Sequence, residues 1–323
     1  MMQSTRPHQD QGVKCGGHRT THSRLTFSRK RLVDVGHETM KIGEQGWYIN
    51  RRGRKVDISQ ALDKAKSQSE HYHFEHTFAP PPKTLLGNYT TKFTIAYGSP
   101  LQLASMLQKH VVTDGGQVAV LNSASSKNPG GRVLKGTLSQ EDQICRASLL
   151  YPCLFQYFGK RGYYYDVNLS PPYNGTTSSA CAIFSPRVPI IREDSVESPL
   201  LDEPEYVSFV SIPATNAFTH GKLPDEDACP EEEYEKRRKI LKADMRDRIF
   251  RVLSIMASHN CTDIVLSAFG CGVHGNDPFM VASIFQELLE KDFRGVFHRV
   301  VIAIQPSRRT NYQAFTNHFG VSK

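Results

Sequence analysis

Three short segments hold the residues whose types and spacing could do chemistry. The first is the glycine-rich run Asn128-Pro-Gly-Gly-Arg-Val-Leu-Lys-Gly136, which follows the apolar stretch QVAVLN. The second is Phe269-Gly-Cys-Gly-Val-His-Gly275, which follows DIVLSA. Each leaves an expected strand and enters an expected helix. Glycine tolerates positive φ and close approach, so successive N–H groups can converge on an anion, and the helix N-terminus adds its positive dipole end. One such loop alone reads as a tight turn. Two in equivalent places on neighbouring strands favour a grip on a pyrophosphate. Neither is a Walker A loop nor a GxGxxG fingerprint, which argues against ordinary NTPase and dinucleotide-binding chemistry.

The third segment is Ser139-Gln140-Glu141-Asp142. Ser139 suits an N-cap and Asp142 the matching capping-box position. The same pair follows the phosphate loop by a few residues, where a carboxyl could act as general acid on a glycosidic bond. Both readings stay open. No metal-ligating cluster accompanies the pair, and no cofactor is expected.

The elements that must position these residues read as an α/β alternation. Helices are expected over Phe27–Ile42, after Ser59 as cap, over Leu101–Val111 (carrying Met106), over Gln140–Phe158 and from Pro230 onward, with a further helix opened by Asp277-Pro278. Strands are expected at Gln117–Leu121, Ala180–Phe184, Val188–Ile191, Val207–Ile212, Ile264–Ser267 and Val300–Ile304. A hairpin is expected at Trp47–Asn50 and Lys55–Ile58 around RRGR, and a loop over Tyr163–Ser179. Strands alternating with helices predict a three-layer α/β/α domain. Residues 1–24 read as a disordered basic arm.

The formal net charge of +8 is confined to residues 1–55; residues 56–323 are balanced. A basic surface is therefore expected only near the N-terminus, where it allows nucleic acid contact, with RRGRK at 51–55 the best feature. Seven cysteines with no CxxC spacing suggest a reducing compartment. No signal peptide or membrane-spanning run is evident, so a cytoplasmic or nuclear location and no membrane partner are expected.

With these residues in place, the chain resembles the microbial-type poly(ADP-ribose) glycohydrolases, a branch of the macrodomain fold. The run from Val118 to Tyr151, VAVLNSASSKNPGGRVLKGTLSQEDQICRASLLY, resembles the family's strand, NPGGG loop, QEE and Cys-Arg helix. SAFGCGVHGNDP at 267–278 is similar to the family's AFGCGVFGNDP. Glu38, Trp47 and Val56-Asp57-Ile58 resemble its N-terminal accessory segment. The similarity spans roughly residues 25–310.

The resemblance implies a macrodomain-like mixed sheet with N-terminal accessory helices and hairpin: an accessory segment over 25–85 and an ADP-ribose-binding catalytic domain over 86–323. It implies cleavage at the anomeric carbon of the distal ribose, from poly(ADP-ribose) or ADP-ribosylated protein. Asn122 and Asn128 would lie at the ribose side, and Gly130, Gly131 and their neighbours would form the catalytic diphosphate loop. Gly270, Cys271, Gly272, Val273 and Gly275 would form the second loop. Glu141 would bond ribose hydroxyls, and Asp142 would stand at the catalytic glutamate position of Gln140-Glu141-Asp142. Three positions depart from the pattern. Arg132 replaces the third glycine, His274 replaces an aromatic residue, and Asp142 is one methylene, roughly 1.5 Å, shorter than glutamate. These departures leave two competing readings: an ADP-ribose reader without turnover, and a hydrolase of mono-ADP-ribose linked to arginine.

Overall fold

The computed structural model describes residues 28–109, 116–175, 177–195, 197–218 and 230–320. The arm expected over 1–24, Cys15, Cys229 and the end of the helix expected at Val111 lie outside them.

Helix α1 (Arg29–Gln45) leads through Gly46, left-handed at φ 77°, into a hairpin of β1 (Trp47–Ile49) and β2 (Lys55–Asp57). Helix α2 (Ser59–Ser67) follows, then β3 (Glu70–Tyr72), β4 (Lys92–Tyr97), α3 (Pro100–Gln108) and β5 (Gln117–Ser123). A 3-10 turn at Val133–Lys135 precedes α4 (Gln140–Ala147), α5 (Leu150–Phe155) and α6 (Tyr164–Leu169). The antiparallel pair β6 (Ala182–Arg192) and β7 (Leu200–Ile212) comes next. The chain closes with α7 (Glu231–Ser258), β8 (Cys261–Ser267), α8 (Pro278–Glu290), β9 (Arg299–Ile304) and α9 (Arg309–Phe319).

Seven strands form one mixed sheet in the order β3-β6-β7-β5-β8-β9-β4, parallel from β7 to β4. Alternation along the strands produces the layers. On β5, Val118 and Val120 join the core under α3, α4 and α5, whereas Ala119 and Leu121 join the core under α7, α8 and α9. The expected three-layer mixed α/β fold is the one observed.

Several boundaries differ from expectation. The helix expected over 140–158 is two helices. Ser148 between them is extended (φ −131°, ψ 170°) and bridges Ile190 of β6, while Leu149 N–H donates to Pro189. Pairing with the neighbouring strand outweighs helix propensity there. The loop expected over 163–179 contains α6, because Tyr164 and Tyr165 are fully buried. The two strands expected at 180–191 are one strand with an irregularity between Ser185 and Val188, where Arg187 has φ 44°. Ser59 is the first residue of α2 rather than its cap, and Asp57 Oδ1 accepts its N–H at 2.9 Å. Met106 faces outward, 61% exposed. The edge strands β3 and β4 and helix α9 were not expected.

The segment expected to be accessory is not a detached unit. Ile42, Tyr48, Val56, Ile58, Leu62 and Ala65 share one core with α4, α5 and β6. Thr39 Oγ1 donates to the Arg146 carbonyl at 2.7 Å, and Arg29 Nε donates to the Lys135 carbonyl at 3.0 Å. Strand β3, inside residues 25–85, pairs with β6 of the main sheet.

Candidate functional site

The carboxyl ends of β5, β8 and β9 open into a cavity of about 690 Å³, the place where open α/β sheets hold ligands. Both glycine segments reach it. Asn128, Gly131, Arg132, Gln140, Glu141 and Asp142 line one side; Gly270, Gly272, Val273 and His274 line the other. Of the other expected residues, Gly130, Cys271 and Gly275 lie outside the lining. So does Asn122, which is fully buried on β5 with Nδ2 donating to Ser211 Oγ at 3.0 Å.

The acidic pair carries out two different jobs. Asp142 completes the capping box: Ser139 Oγ accepts the Asp142 N–H, and Asp142 Oδ2 accepts the Ser139 N–H at 2.9 Å. Its Oδ1 accepts the Arg132 N–H at 2.7 Å. One carboxylate thus ties the start of α4 to the first glycine loop. Gln140 adds a second clamp, accepting from Ser123 N–H and donating to the Leu121 carbonyl.

Glu141 is 1% exposed. Its Oε2 accepts the Ser125 N–H at 2.7 Å, and Oε1 has no hydrogen bond of ordinary geometry among the described residues. Burial pushes its pKa from 4.5 up to about 8; the Ser125 N–H pulls down, the Asp142 charge pushes further up, and Asn122 and the Gly130 N–H pull down. The group is therefore largely protonated at neutral pH, as a general acid must be.

Gly131 sits directly on the pair. At φ 63°, a Cβ built there would lie 2.7 Å from Asp142 Oδ1 and 3.2 Å from Glu141 Oε2. Beneath the loop, the Tyr151 ring packs against Gly130.

The second loop is pinned by Asn276, whose Nδ2 donates to the Thr215 carbonyl at 2.7 Å and to the Gly270 carbonyl at 3.0 Å. The N–H groups of Gly272, Val273 and His274 meet no acceptor among the described residues. Three consecutive N–H groups without an acceptor are what an anion-binding turn requires. Val273 stands at the lip, 85% exposed. Burial, aided by the Arg248 charge, pushes the His274 pKa down, so the ring is neutral at pH 7. Burial pushes the Cys271 thiol up to about 12 and raises Cys145 well above its ordinary value, so both are packing residues rather than nucleophiles.

Sequence reasoning did not find Arg248, which stands behind the wall. It donates to the carbonyls of Ser178, Ser179 and Pro213, and Asp244 holds it in an i,i+4 ion pair. Ser178 and Pro213 line the cavity. Only the Asp244/Arg248 spacing on the long helix could have signalled it. Gln305, Arg308 and Asn311 were missed as well; they line the cavity from the segment after β9.

The RRGRK turn is partly neutralised by its neighbours: Arg51 pairs with Glu193 and Arg52 with Asp202. Among the described residues no cluster of His, Cys, Asp and Glu could hold a metal. No described helix is long and apolar enough to cross a membrane.

Comparison with known proteins gives the same picture. A family sequence profile described as the catalytic domain of microbial-type PARG matches residues 36–193. The poly(ADP-ribose) glycohydrolase of Thermomonospora curvata bound to the inhibitor ADP-HPD is 30% identical with a TM-score of 0.73, covering 90% of this chain and 99% of that one. A point mutant of the same enzyme is 31% identical with a TM-score of 0.74, covering 90% and 100%. The poly(ADP-ribose) glycohydrolase of Deinococcus radiodurans in complex with ADP-ribose is 27% identical with a TM-score of 0.64, covering 80% and 96%. No curated protein sequence matches the chain.

Proposed function

The chain belongs to the microbial-type poly(ADP-ribose) glycohydrolase family, and from that premise we propose that it binds ADP-ribose between its two loops and releases it from poly(ADP-ribose) with Glu141 as general acid. The observation that carries this reading is the buried Glu141 carboxyl, held at a pKa of about 8 against the phosphate loop. Glu141 Oε1–H gives its proton to the departing oxygen as the bond to the anomeric carbon breaks. Water adds to the oxocarbenium-like centre and returns a proton to Glu141. The products are ADP-ribose and a polymer one unit shorter.

Asp142, at the family's catalytic position, acts by holding the loop: both its oxygens already accept backbone N–H groups. Its shorter reach is thereby accommodated. The retained acid disfavours a reader without turnover, and nothing in the cavity favours an arginine linkage over the polymer. ADP-ribosylated protein is a further substrate of the same chemistry. A reducing, cytoplasmic or nuclear setting suits the buried free thiols of Cys145, Cys153, Cys181, Cys261 and Cys271. Contact with nucleic acid falls to the N-terminal basic region.

Two measurements check the residue roles. In Asp142→Asn, the negative neighbour that raises Glu141 is gone, so the alkaline limb of the kcat–pH profile moves to lower pH. An unmoved limb means that Glu141 is not the titrating acid. Arg132 lines the cavity with no partner for its guanidinium among the described residues, which leaves it free for a phosphate. Arg132→Ala therefore weakens ADP-ribose binding in calorimetry by roughly 10-fold or more, the scale of a charge-assisted hydrogen bond. An unchanged Kd places that side chain outside the site.

A further inference from the structure

Helix α5 is apolar on both sides. Leu150, Cys153, Leu154 and, in the turn beyond, Tyr157 point inward and are buried. Tyr151, Phe155 and Phe158 follow at i, i+4 and i+7 and share the opposite face. Phe155 is 50% exposed and Phe158 43%. The three rings form a ladder, with centroids 5.5 Å and then 5.9 Å apart and interplanar angles of 18° and 21°. Tyr163, also exposed, packs on the other side of the turn against Tyr157. A surface helix ordinarily places polar residues on its outer face. Contiguous exposed aromatic rings mark a place of contact.

Two features say what fits there. The ladder starts beneath the first glycine loop, where the Tyr151 ring lies against Gly130. Two residues beyond Phe158 the chain carries cations: Lys160, whose Nζ lies 6.0 Å from the Tyr163 ring, and the exposed Arg161. Neither makes an ion pair among the described residues, and Asp166 accepts the Gly162 N–H. Stacking faces followed by unpaired cations match a chain of bases linked by phosphates.

We infer that the Tyr151–Phe155–Phe158 ladder, with Lys160 and Arg161, docks the ADP-ribose units of the polymer that lie beyond the one held in the cavity. Adenines pack on the exposed rings, and the diphosphates meet the cations. This rests on the function proposed above, and it adds a second contact that free ADP-ribose does not use.

The test compares the full chain with Phe155→Ser/Phe158→Ser and with Lys160→Glu/Arg161→Glu. All four side chains are exposed, so the fold tolerates the changes. The expected result is a KM for long polymer raised roughly 10-fold or more in the aromatic variant, the scale of one lost base stack. The charge variant shows a KM less sensitive to salt. In both, kcat and the calorimetric Kd for ADP-ribose stay at wild-type values. An unchanged polymer KM overturns the inference. So does a wild-type dimer that the aromatic variant splits without a change in KM, which assigns the face to a second copy. Oligo(A) RNA binding the ladder more tightly than the polymer also overturns it, in favour of nucleic acid. Failure of the wild type to bind ADP-ribose at all sinks the functional reading instead.

Discussion

Glu141→Gln lowers turnover of poly(ADP-ribose) by about 10²–10⁴-fold, the range by which a positioned general acid contributes, while the Kd for ADP-ribose changes by no more than a few-fold. The amide keeps the shape and can still accept the Ser125 N–H, but it has no proton to give. Single-turnover kinetics with calorimetry on the same preparation check both halves. Turnover within 10-fold of wild type removes Glu141 from the chemistry. The same substitution has an opposite effect on stability. A carboxyl whose pKa rises from 4.5 to about 8 on folding favours the folded state below 4.5 and progressively loses that advantage as pH climbs to about 8. The glutamine variant has no such dependence. Its Tm relative to wild type therefore increases between about pH 5 and 8, and thermal melts across that range read the difference directly. Wild-type kcat falls over the upper part of the same interval as the acid loses its proton.

Gly131→Ala is the second large effect. Its φ of 63° is a conformation in which a side chain is strained by about 1–2 kcal/mol. The added methyl would stand 2.7 Å from Asp142 Oδ1, which already accepts the Arg132 N–H. Something in the acid pair has to shift, and a displacement of about 1 Å costs about 100-fold in rate. Activity is expected to fall at least that far, with a weaker grip on ADP-ribose. The control is Gly53→Ala in the hairpin turn, where φ is 75° and nothing lies within 4 Å of the new methyl. It carries comparable backbone strain and should cost about 1–2 kcal/mol of stability with full activity. If the two variants lose the same activity, strain alone explains the result and the contact at the acids does not.

The contrast between these residues shows how much could be read in advance. The capping box was legible because Ser139 and Asp142 lie three apart and interact within one turn. The two loops were legible because glycine is constrained locally by its own φ. The separate roles of Glu141 and Asp142 were not legible. Adjacent acids look alike in sequence and are equally buried; what divides them is their backbone partners, the distant Ser125 N–H for Glu141 and the Arg132 and Ser139 N–H groups for Asp142. Asn122 was expected at the ribose side; its Nδ2 donates to Ser211 on β7, 89 residues away, and its amide also pulls down the pKa of Glu141, neither of which the sequence signals. Arg308 and Asn311 were missed because α9 buries only Ala314 and Phe315, too sparse a stripe to signal a helix. Ser148 breaks a helix for a bridge to Ile190, a long-range pairing that local propensity does not contain.

The two halves of the cavity sit on β5 and β8, adjacent in space but with the whole of β6, β7 and α7 between them in the chain. During synthesis the acidic helix and its loop leave the ribosome long before the second loop exists. Parallel pairing of β5 with β8 needs that distant strand, and such non-local contacts form slowly. The cavity is therefore complete only after the second loop and the segment beyond β9 have been made and their strands have joined β5 in one sheet.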